Sequence, residues 1–278
     1  MTEPTERRAW RTDAEWTHLR ERIEGAELAG PPRRNWRLLR AIAAALVFAA
    51  AAGVGWKLRR SKEAEVRVAT TAAGERVVIR LADSSVVTLG PASRVRYAIG
   101  ARQRDVELDG LADFAVVHDA ARPFVVRSRN AVTTDLGTRF VVRAYDSDSA
   151  VEVAVTEGHV AVSGAPATAA VELHAGDVAQ VRRAGAPLLA QRRDAAAKSA
   201  WVDGRLVFDN EPLARVVADL SRWFDADIRV AGGALEKRTV SAVYNDASLS
   251  DVLAALAATL GARVERSGRT VVISVKGS

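Results

Sequence analysis

Residues 138–162 read TRFVVRAYDSDSAVEVAVTEGHVAV, and this stretch sets the pattern for most of the chain. Two Val-rich runs, Thr138–Ala144 and Ala150–Thr156, flank a cluster of Asp and Ser residues, and a Glu-Gly pair then leads into a third run, His159–Val162. Short runs of β-branched residues that are bounded by Gly, Asp and Ser are typical of β-strands joined by tight turns. The stretch therefore predicts three consecutive strands.

The same pattern extends outward from Val66 to about Val181. Further strands are predicted at Arg76–Leu81, Ser85–Leu89, Arg94–Tyr97, Asp105–Leu108, Phe114–Val117, Pro123–Arg127, Val171–Leu173 and Val178–Val181. The last two are expected to form a hairpin around Gly176. Many short strands at regular spacing predict an all-β sandwich, roll or solenoid, and the sequence leaves these three alternatives open.

A different pattern begins near Val202, where the sequence repeats at a constant offset of 36 residues. Apolar residues recur at i, i+3, i+4, i+7 and i+11 in both copies, which predicts amphipathic helices over Leu213–Phe224 and Leu249–Leu260. Ser248 and Asp251 suit a capping box for the second helix. Strands are predicted around these helices at Leu206–Phe208, Asp227–Val230, Thr239–Tyr244, Arg263–Glu265 and Thr270–Val275. Two helices on one face of a small sheet predict a compact α+β domain.

An apolar run near the N-terminus, Ala41–Trp56, has Trp36 and Trp56 at its ends and Arg and Lys residues on both flanks. This arrangement predicts a transmembrane helix over residues 37–56. A cleaved signal peptide and a buried core helix are the alternatives. Lys and Arg are nearly balanced on the two sides, so the charges do not decide the orientation.

These patterns divide the chain into six parts, and the predicted fold class is multidomain. The parts are an N-terminal arm (1–36), a transmembrane helix (37–56), a linker (57–65), an all-β domain (66–183), a second linker or loose helix (184–200) and an α+β domain with two βαβ repeats (201–278).

The amino-acid composition limits the classes of function that the chain can have. The isoelectric point of about 10.1 makes nucleic-acid binding one function to consider. However, the basic residues alternate with Asp and Glu, and no basic block is interleaved with aromatic residues, so direct nucleic-acid binding is not expected. The chain has no cysteine, which excludes disulfides and thiolate metal sites.

No catalytic or cofactor motif points to turnover of an external substrate. P-loop, GxSxG, HExxH and GxGxxG motifs are absent, and the four histidines (His18, His118, His159 and His174) are scattered along the chain. We therefore expect that the chain binds no metal and no cofactor and that it is not an enzyme. The triplet Asp83-Ser84-Ser85 resembles the aspartic-protease motif, but its place between two predicted strands favours a hairpin turn.

The dipeptide Gly137-Thr138 has a chemical interpretation of its own. A Thr hydroxyl can attack the carbonyl of the preceding residue when that peptide bond is strained, and the resulting ester is then cleaved by water. Gly before the Thr gives the backbone the freedom that such strain requires. The alternative is a glycine bulge or turn at the start of a strand.

Five segments between Gly74 and Val162 occur in an order and spacing that resembles the periplasmic β domain of FecR-like anti-sigma regulators. The segments are Leu81–Leu89 (LADSSVVTL), Arg104–Gly110 (RDVELDG), Arg122–Val126 (RPFVV), Leu136–Val142 (LGTRFVV) and Val153–Val160 (VAVTEGHV). The resemblance continues in Trp201–Asp209 (WVDGRLVFD), and the repeat that follows is similar to the short secretin/TonB-type signalling module.

The resemblance implies a single-pass protein of the bacterial inner membrane with its N-terminus in the cytoplasm and its bulk in the periplasm. It implies two partners, an extracytoplasmic-function (ECF) sigma factor inside the cell and a TonB-dependent outer-membrane transducer outside the inner membrane. Regulation of iron or siderophore uptake and self-cleavage between Gly137 and Thr138 are implied as well. The N-terminal arm is about half as long as in many members of this family.

The expected contact residues follow from these two partners. On the arm, Trp10, Trp16, Leu19 and Ile23 are predicted to contact the sigma factor, although the same segment could lie on the membrane as an amphipathic helix. On the C-terminal module, Leu213, Val217, Leu220 and Trp223 are predicted to contact the transducer. The alternative function is a periplasmic binding or scaffold module without transcriptional output.

Overall fold

The computed structural model describes residues 64–164, 169–182, 188–190 and 194–275. The predicted transmembrane segment 37–56 and the predicted sigma-contact residues Trp10, Trp16, Leu19 and Ile23 lie outside the described residues. Within the described ranges, no helix has the length and apolar composition needed to cross a membrane. Every described residue belongs to one compact unit, residues 61–278.

The first part of this unit is built from short strands. They are β1 (Val66–Thr70), β2 (Val77–Arg80), β3 (Val86–Leu89), β4 (Arg94–Ile99), β5 (Arg104–Ala115), β6 (Phe124–Ser128), β7 (Ala131–Asp135), β8 (Arg139–Ala144), β9 (Ala150–Glu157), β10 (His159–Ser163), β11 (Val171–His174), β12 (Val178–Arg182) and β13 (Leu188–Ala190). The all-β prediction is therefore confirmed for this region.

The strands form two sheets that share the long strand β5. The N-terminal half of β5, Arg104–Asp109, pairs with β4, and the C-terminal half, Gly110–Ala115, pairs with β8. One sheet has the order β1-β4-β5-β6-β7-β10-β11, and the other has the order β2-β3-β5-β8-β9-β12-β13. At the crossing point Gly110 has φ 111°, and a Cβ there would lie 2.3 Å from Ser93 Oγ, so the bend requires glycine.

One hydrophobic core lies between the two sheets. Its large side chains include Phe114, Phe124 and Phe140, all fully buried, and the rings of Phe114 and Phe140 stack with centroids 5.1 Å apart. Buried valines from both sheets fill the remaining space. Of the three predicted alternatives, the structure is a sandwich.

The predicted hairpin between Val171–Leu173 and Val178–Val181 is wrong. The turn is present, since Asp177 N donates to His174 O at 2.9 Å. However, β11 pairs with β10 in the first sheet and β12 pairs with β9 in the second. The pattern of apolar residues located both strands but carried no information about which sheet each strand joins.

The segment that the sequence presents as a linker, 184–200, contains ordered elements. Strand β13 pairs with β12, and a short helix, α1 (Ala195–Ser199), follows an N-cap formed by Asp194. A 3-10 helix, Ala200–Asp203, then brings Trp201 into a buried position. These residues pack against the sandwich and lead directly into the C-terminal module.

The C-terminal module contains the predicted repeat. Its elements are β14 (Arg205–Pro212), α2 (Leu213–Phe224), β15 (Asp227–Ala231), α3 (Gly233–Glu236), β16 (Thr239–Asn245), α4 (Leu249–Leu260), β17 (Ala262–Ser267) and β18 (Thr270–Val275). The predicted bounds of α2, α4 and β18 are confirmed. The strands form two small sheets, β14-β16 and β15-β18-β17, and not the single sheet predicted.

The two long helices begin in different ways. The capping box predicted for α4 is confirmed, because the Ser248 side chain accepts from Asp251 N and the Asp251 side chain accepts from Ser248 N. Helix α2 follows Pro212, whose side chain makes no capping hydrogen bond. Both helices turn their apolar faces to a shared core that contains Leu213, Val216 and Leu256.

Candidate functional site

The Gly137–Thr138 bond lies in the short connection between β7 and β8, where the chain passes from the first sheet to the second. Gly137 has φ 145°, which L side chains rarely adopt, and a Cβ there would lie 2.4 Å from His118 Cα. Only glycine fits this position without displacing the backbone of residue 118. The dipeptide therefore lies in a constrained turn at the start of β8, which is one of the two forms that the alternative interpretation allows.

The carboxylate of Asp135, the last residue of β7, organises this connection. Its Oδ1 atom accepts hydrogen bonds from Gly137 N at 2.9 Å and from Thr138 Oγ1 at 2.5 Å. Asp135 is only 1% exposed, and its Oδ2 atom is buried with no hydrogen-bond partner among the described residues. A hydroxyl group, a carboxylate and a constrained peptide bond therefore meet in a single turn.

The loop after β5 holds both sides of the dipeptide. Val116 N donates to Thr138 O at 2.9 Å, and Asp119 N donates to Leu136 O at 2.8 Å. These two bonds fix the peptide groups immediately before and after the Gly137–Thr138 peptide. The constraint on the Gly137–Thr138 bond therefore comes from a distant part of the sequence as well as from the turn itself.

A buried arginine holds that loop in place. Arg104 is 1% exposed and donates to Val117 O at 2.8 Å and to Arg122 O at 2.7 Å. Its guanidinium also pairs with Asp83 at 3.3 Å. Ser85 Oγ accepts from Val117 N at 3.0 Å and donates to Asp83 Oδ2 at 2.9 Å.

The triplet Asp83-Ser84-Ser85 is the predicted hairpin turn. It joins β2 to β3, Leu81 N donates to Ser85 O at 2.8 Å, and Ser84 has φ 71°. Asp83 and Ser85 thus have a structural role, because they support the loop that contacts the Gly137–Thr138 turn.

Metal binding has no support in the described ranges, where no group of three or more His, Asp or Glu side chains could hold an ion. His118 contributes its backbone to the tight contact with Gly137, but its side chain is exposed. The reactive groups at this corner are therefore oxygen atoms.

The second notable region is the contact between the sandwich and the C-terminal module. We define the docking face as the side of α2 that carries Arg215, Asp219, Arg222 and Trp223. Arg143, on β8 of the sandwich, donates to Asp219 at 2.8 Å and to Asp148 at 2.7 Å. Burial alone would lower the pKa of Arg143, but the two carboxylates outweigh it and raise that pKa above its usual range.

A second ion-pair group lies beside the first. Glu152 of β9 accepts from Arg215 at 3.2 Å and from Lys198 at 3.2 Å, and Arg215 also pairs with Glu211 at 3.1 Å. Burial alone would raise the pKa of Glu152, but Arg215 and Lys198 outweigh it and hold the pKa at about 2. The carboxylate therefore stays ionised although the residue is buried.

Aromatic side chains complete the docking face. The rings of Trp201 and Trp223 lie with centroids 5.9 Å apart, and the Arg222 guanidinium lies 3.9 Å from the ring centroid of Tyr145. The backbone also takes part, since Gly74 N donates to Arg222 O at 2.7 Å. The two modules therefore share one continuous, mixed polar and apolar contact.

The predicted transducer-contact residues do not form a surface. Leu213 and Leu220 have no exposed area, and Val217 is also buried in the core of the module. Trp223 packs against Trp201 at the docking face. In this conformation Leu213, Val217 and Leu220 are not accessible to a partner, because the periodic apolar positions of an amphipathic helix face its own core.

Sequence reasoning named Gly137 and Thr138 but missed Asp135 and the docking residues. For Asp135 the available signal was an acidic residue three positions before the Thr. For Arg215, Asp219 and Arg222 the signal was their departure from the second copy of the repeat.

Comparisons with known proteins agree with this architecture. The profile of the family described as FecR protein matches residues 67–161, and the profile described as FecR, C-terminal matches residues 205–273, so the two together span more than half of the chain. No curated protein matches the chain at a significant level.

Two crystal structures of candidate anti-sigma factors from Parabacteroides distasonis, at 2.50 and 1.65 Å resolution, share the fold. Each is 28% identical to this chain, with TM-scores of 0.71 and 0.70. The alignments cover 77% and 76% of this chain and 100% of each crystallised chain. With both family ranges matched in order and the same fold in these structures, the chain belongs to the FecR family of anti-sigma factors.

Proposed function

We propose that this anti-sigma factor spans the bacterial inner membrane and relays a signal from a TonB-dependent outer-membrane transducer to an ECF sigma factor. The observation that carries the proposal is the match of both FecR ranges on a body whose fold is that of described anti-sigma factors. The control of iron or siderophore uptake is part of the same proposal.

In this proposal the chain crosses the membrane once, through residues 37–56. The N-terminal arm lies in the cytoplasm and binds the sigma factor through Trp10, Trp16, Leu19 and Ile23. The remainder lies in the periplasm. The apolar run with tryptophans at its ends and basic residues on both flanks supports a single crossing, and the orientation rests on the family resemblance.

The periplasmic body receives the signal as a single unit. The ion pairs of Arg143 and Glu152 with α2 support this view, because they hold the C-terminal module on the sandwich. The transducer then contacts a surface other than the core face of α2. The chain turns over no external substrate and needs no cofactor, so its output is a change in sigma-factor activity.

Self-cleavage between Gly137 and Thr138 is the second part of the proposal. Its support is the constrained φ of Gly137 and the Thr138 hydroxyl held at a buried carboxylate. Cleavage would leave two fragments that remain associated, because strands on both sides of the break pair in the same sheets. A signal could then separate the fragments without breaking a further covalent bond.

A transcriptional reporter tests the regulatory role. The reporter is placed under the sigma factor encoded beside this gene, and the full chain is compared with a chain that lacks residues 1–36. We expect the deletion to change reporter output, and we expect residues 1–36 alone to capture that sigma factor. Unchanged output together with no capture would contradict the proposal and favour the envelope scaffold.

Fragment analysis tests self-cleavage separately. Full-length protein that carries a tag at each end is expected to separate on denaturing gels into fragments that end at Gly137 and begin at Thr138. Thr138→Ala should abolish the two-fragment pattern, and Thr134→Ala on β7 is the matched control that should not. Wild-type protein that stays intact in cells would remove this part of the proposal.

A further inference from the structure

We propose that Asp135 is the acid–base residue of cleavage at the Gly137–Thr138 bond. The assignment deepens the proposed self-cleavage and rests on it. It does not depend on the sigma factor or on the transducer, because it concerns only three residues of one turn.

The position of the carboxylate is the first argument. A general base must lie within hydrogen-bond reach of the proton that it removes, and Asp135 Oδ1 lies 2.5 Å from Thr138 Oγ1. The same oxygen accepts from Gly137 N at 2.9 Å, so it touches both residues of the bond that breaks. Asp135 ends β7, where its backbone is fixed by pairing with Phe124 and Val160 on the two neighbouring strands.

The second oxygen of the Asp135 carboxylate, Oδ2, takes no part in the turn. Stabilising the turn requires only Oδ1, yet Oδ2 is buried without a partner among the described residues. A buried unpaired oxygen of this kind costs about 1–3 kcal/mol, and more where it is charged. Asp113 has the same feature, so the unpaired oxygen supports the assignment only together with the contact of Oδ1 to the Thr138 hydroxyl.

Asp83 forms a similar turn but differs from Asp135 in the partners of its carboxylate. Asp83 also accepts hydrogen bonds from a residue two positions later, since Ser85 donates from its N and from its Oγ. However, Asp83 uses both oxygens, and Arg104 neutralises its charge. Within the part of the chain that the structure describes, Asp135 has no cationic partner, and its carboxylate contacts only the Thr138 hydroxyl and Gly137 N.

The chemical step balances within the turn. The Thr138 Oγ proton passes to Asp135 while Oγ forms a bond to the carbonyl carbon of Gly137. The carbon–nitrogen bond between Gly137 and Thr138 then breaks, and Asp135 returns the proton to the departing nitrogen of Thr138. One water molecule hydrolyses the ester, which leaves a carboxylate on Gly137 and restores the hydroxyl of Thr138 beside its new amino group.

The surrounding contacts favour this step. Asp119 N and Val116 N hold the peptide groups before and after the Gly137–Thr138 peptide, so the attacked carbonyl lies in a fixed frame. The methyl group of Thr138 packs beside Gly158, where a Cβ would lie 2.5 Å from it. This packing holds the Thr138 side chain in the orientation that places its hydroxyl on Asp135.

Pulse–chase labelling of the full-length chain in membranes measures the cleavage rate. Loss of the general base is expected to slow cleavage by about 100-fold or more in Asp135→Asn. Asp113→Asn is the matched control, because Asp113 is also buried with an unpartnered Oδ2 atom but pairs with Arg139 and does not touch Thr138. We expect Asp113→Asn to cleave at the wild-type rate.

A second variant separates chemistry from folding. A thiol ionises without help far more readily than a hydroxyl, so Thr138→Cys at pH 9 depends less on a base. Adding Thr138→Cys to Asp135→Asn should therefore restore cleavage, or restore a thioester that hydroxylamine traps at Gly137. Such rescue requires that the turn remains folded in the absence of the carboxylate.

Each outcome has a separate meaning. If the wild-type chain stays intact, self-cleavage itself fails. If the wild-type chain and Asp135→Asn cleave at the same rate, self-cleavage stands and the assignment of Asp135 is wrong. The assignment is also wrong if Asp113→Asn slows cleavage as much, or if Thr138→Cys does not rescue Asp135→Asn, because Asp135 would then act only through the structure.

Discussion

Helices α2 and α4 occupy equivalent places in the 36-residue repeat, yet they contact the rest of the molecule differently. Their apolar faces match position by position and share one core. On its opposite side, α2 places Asp219 and Arg222 against the sandwich. The matching positions of α4 are Ala255 and Ala258, and both are exposed.

The comparison separates two kinds of information in one sequence. The positions that the two copies share determine the fold of the module, because they supply its core. The positions at which α2 departs from α4 determine how the module docks on the sandwich. Helix α4 begins with a capping box, whereas α2 has no side-chain cap.

The largest effect is expected from Arg143→Met. The variant removes the cation that Asp148 and Asp219 share and leaves Asp219 with Arg222 only, and breaking a buried ion pair costs about 3–5 kcal/mol. Denaturant unfolding of residues 61–278 measures the loss. Arg229→Met removes an exposed pair with Asp227 and should cost much less, because solvent screens the attraction between exposed charges. Equal losses in the two variants would show that the docking contact is not special.

Glu152→Gln should have a smaller effect that depends on pH. The pKa of Glu152 is depressed to about 2 in the folded state, so its carboxylate stabilises the fold above the ordinary value of 4.5. That contribution is lost as the pH falls from about 4.5 toward 2. We expect a loss of about 2–3 kcal/mol at pH 7 and convergence with the wild type near pH 2. Unfolding curves between pH 2 and 7 test this, and a constant difference would contradict it.

Ser248→Ala tests how much the capping box of α4 contributes to stability. Removing the N-cap hydroxyl should cost about 1 kcal/mol, because Asp251 N loses its acceptor at the first turn. Ser250→Ala is the control, because Ser250 is exposed and lies in the first turn of the same helix. It should change the free energy of unfolding by less than about 0.5 kcal/mol. Similar losses in both variants would mean that the capping box contributes nothing measurable.

The smallest effect is expected from Ala258→Arg, which places on α4 the residue that α2 has at Arg222. The new side chain faces solvent, so the stability should change by less than about 0.5 kcal/mol. Arg222→Ala should cost more, because it loses Asp219, Ser147 and the ring of Tyr145. Calorimetry measures the change in the free energy of unfolding for both variants. Equal changes would contradict the expectation that only α2 is stabilised by these contacts.

Local patterns in the sequence were enough to predict the helices and most strands. The bounds of α2 and α4 follow from a helical period and from caps, and both are local. Strand β5 shows the limit of such reasoning. The sequence pattern predicts two strands, Asp105–Leu108 and Phe114–Val117, whereas the structure has one strand, β5, that bends at Gly110 and joins two sheets.

The candidate site was predictable in part for the same reason. Gly137 and Thr138 are adjacent, so their chemistry is visible in the sequence. The role of Asp135 depends on a hydrogen bond across a turn, and the constraint on Gly137 depends on residues 116–119, which only the fold brings near. The docking residues are likewise visible as charges in the sequence, but their partners lie on β8 and β9.

Calorimetric titration measures the proposed binding of a sigma factor by the first 36 residues of this anti-sigma factor. Residues 1–36 are titrated against the purified sigma factor encoded beside this gene, and residues 61–278 serve as the control. We expect one-to-one binding by the arm with a Kd of about 1 μM or below, a loss of about tenfold or more in Trp16→Ala, and no binding by the body. An arm that shows no binding, whatever the body does, would contradict the account.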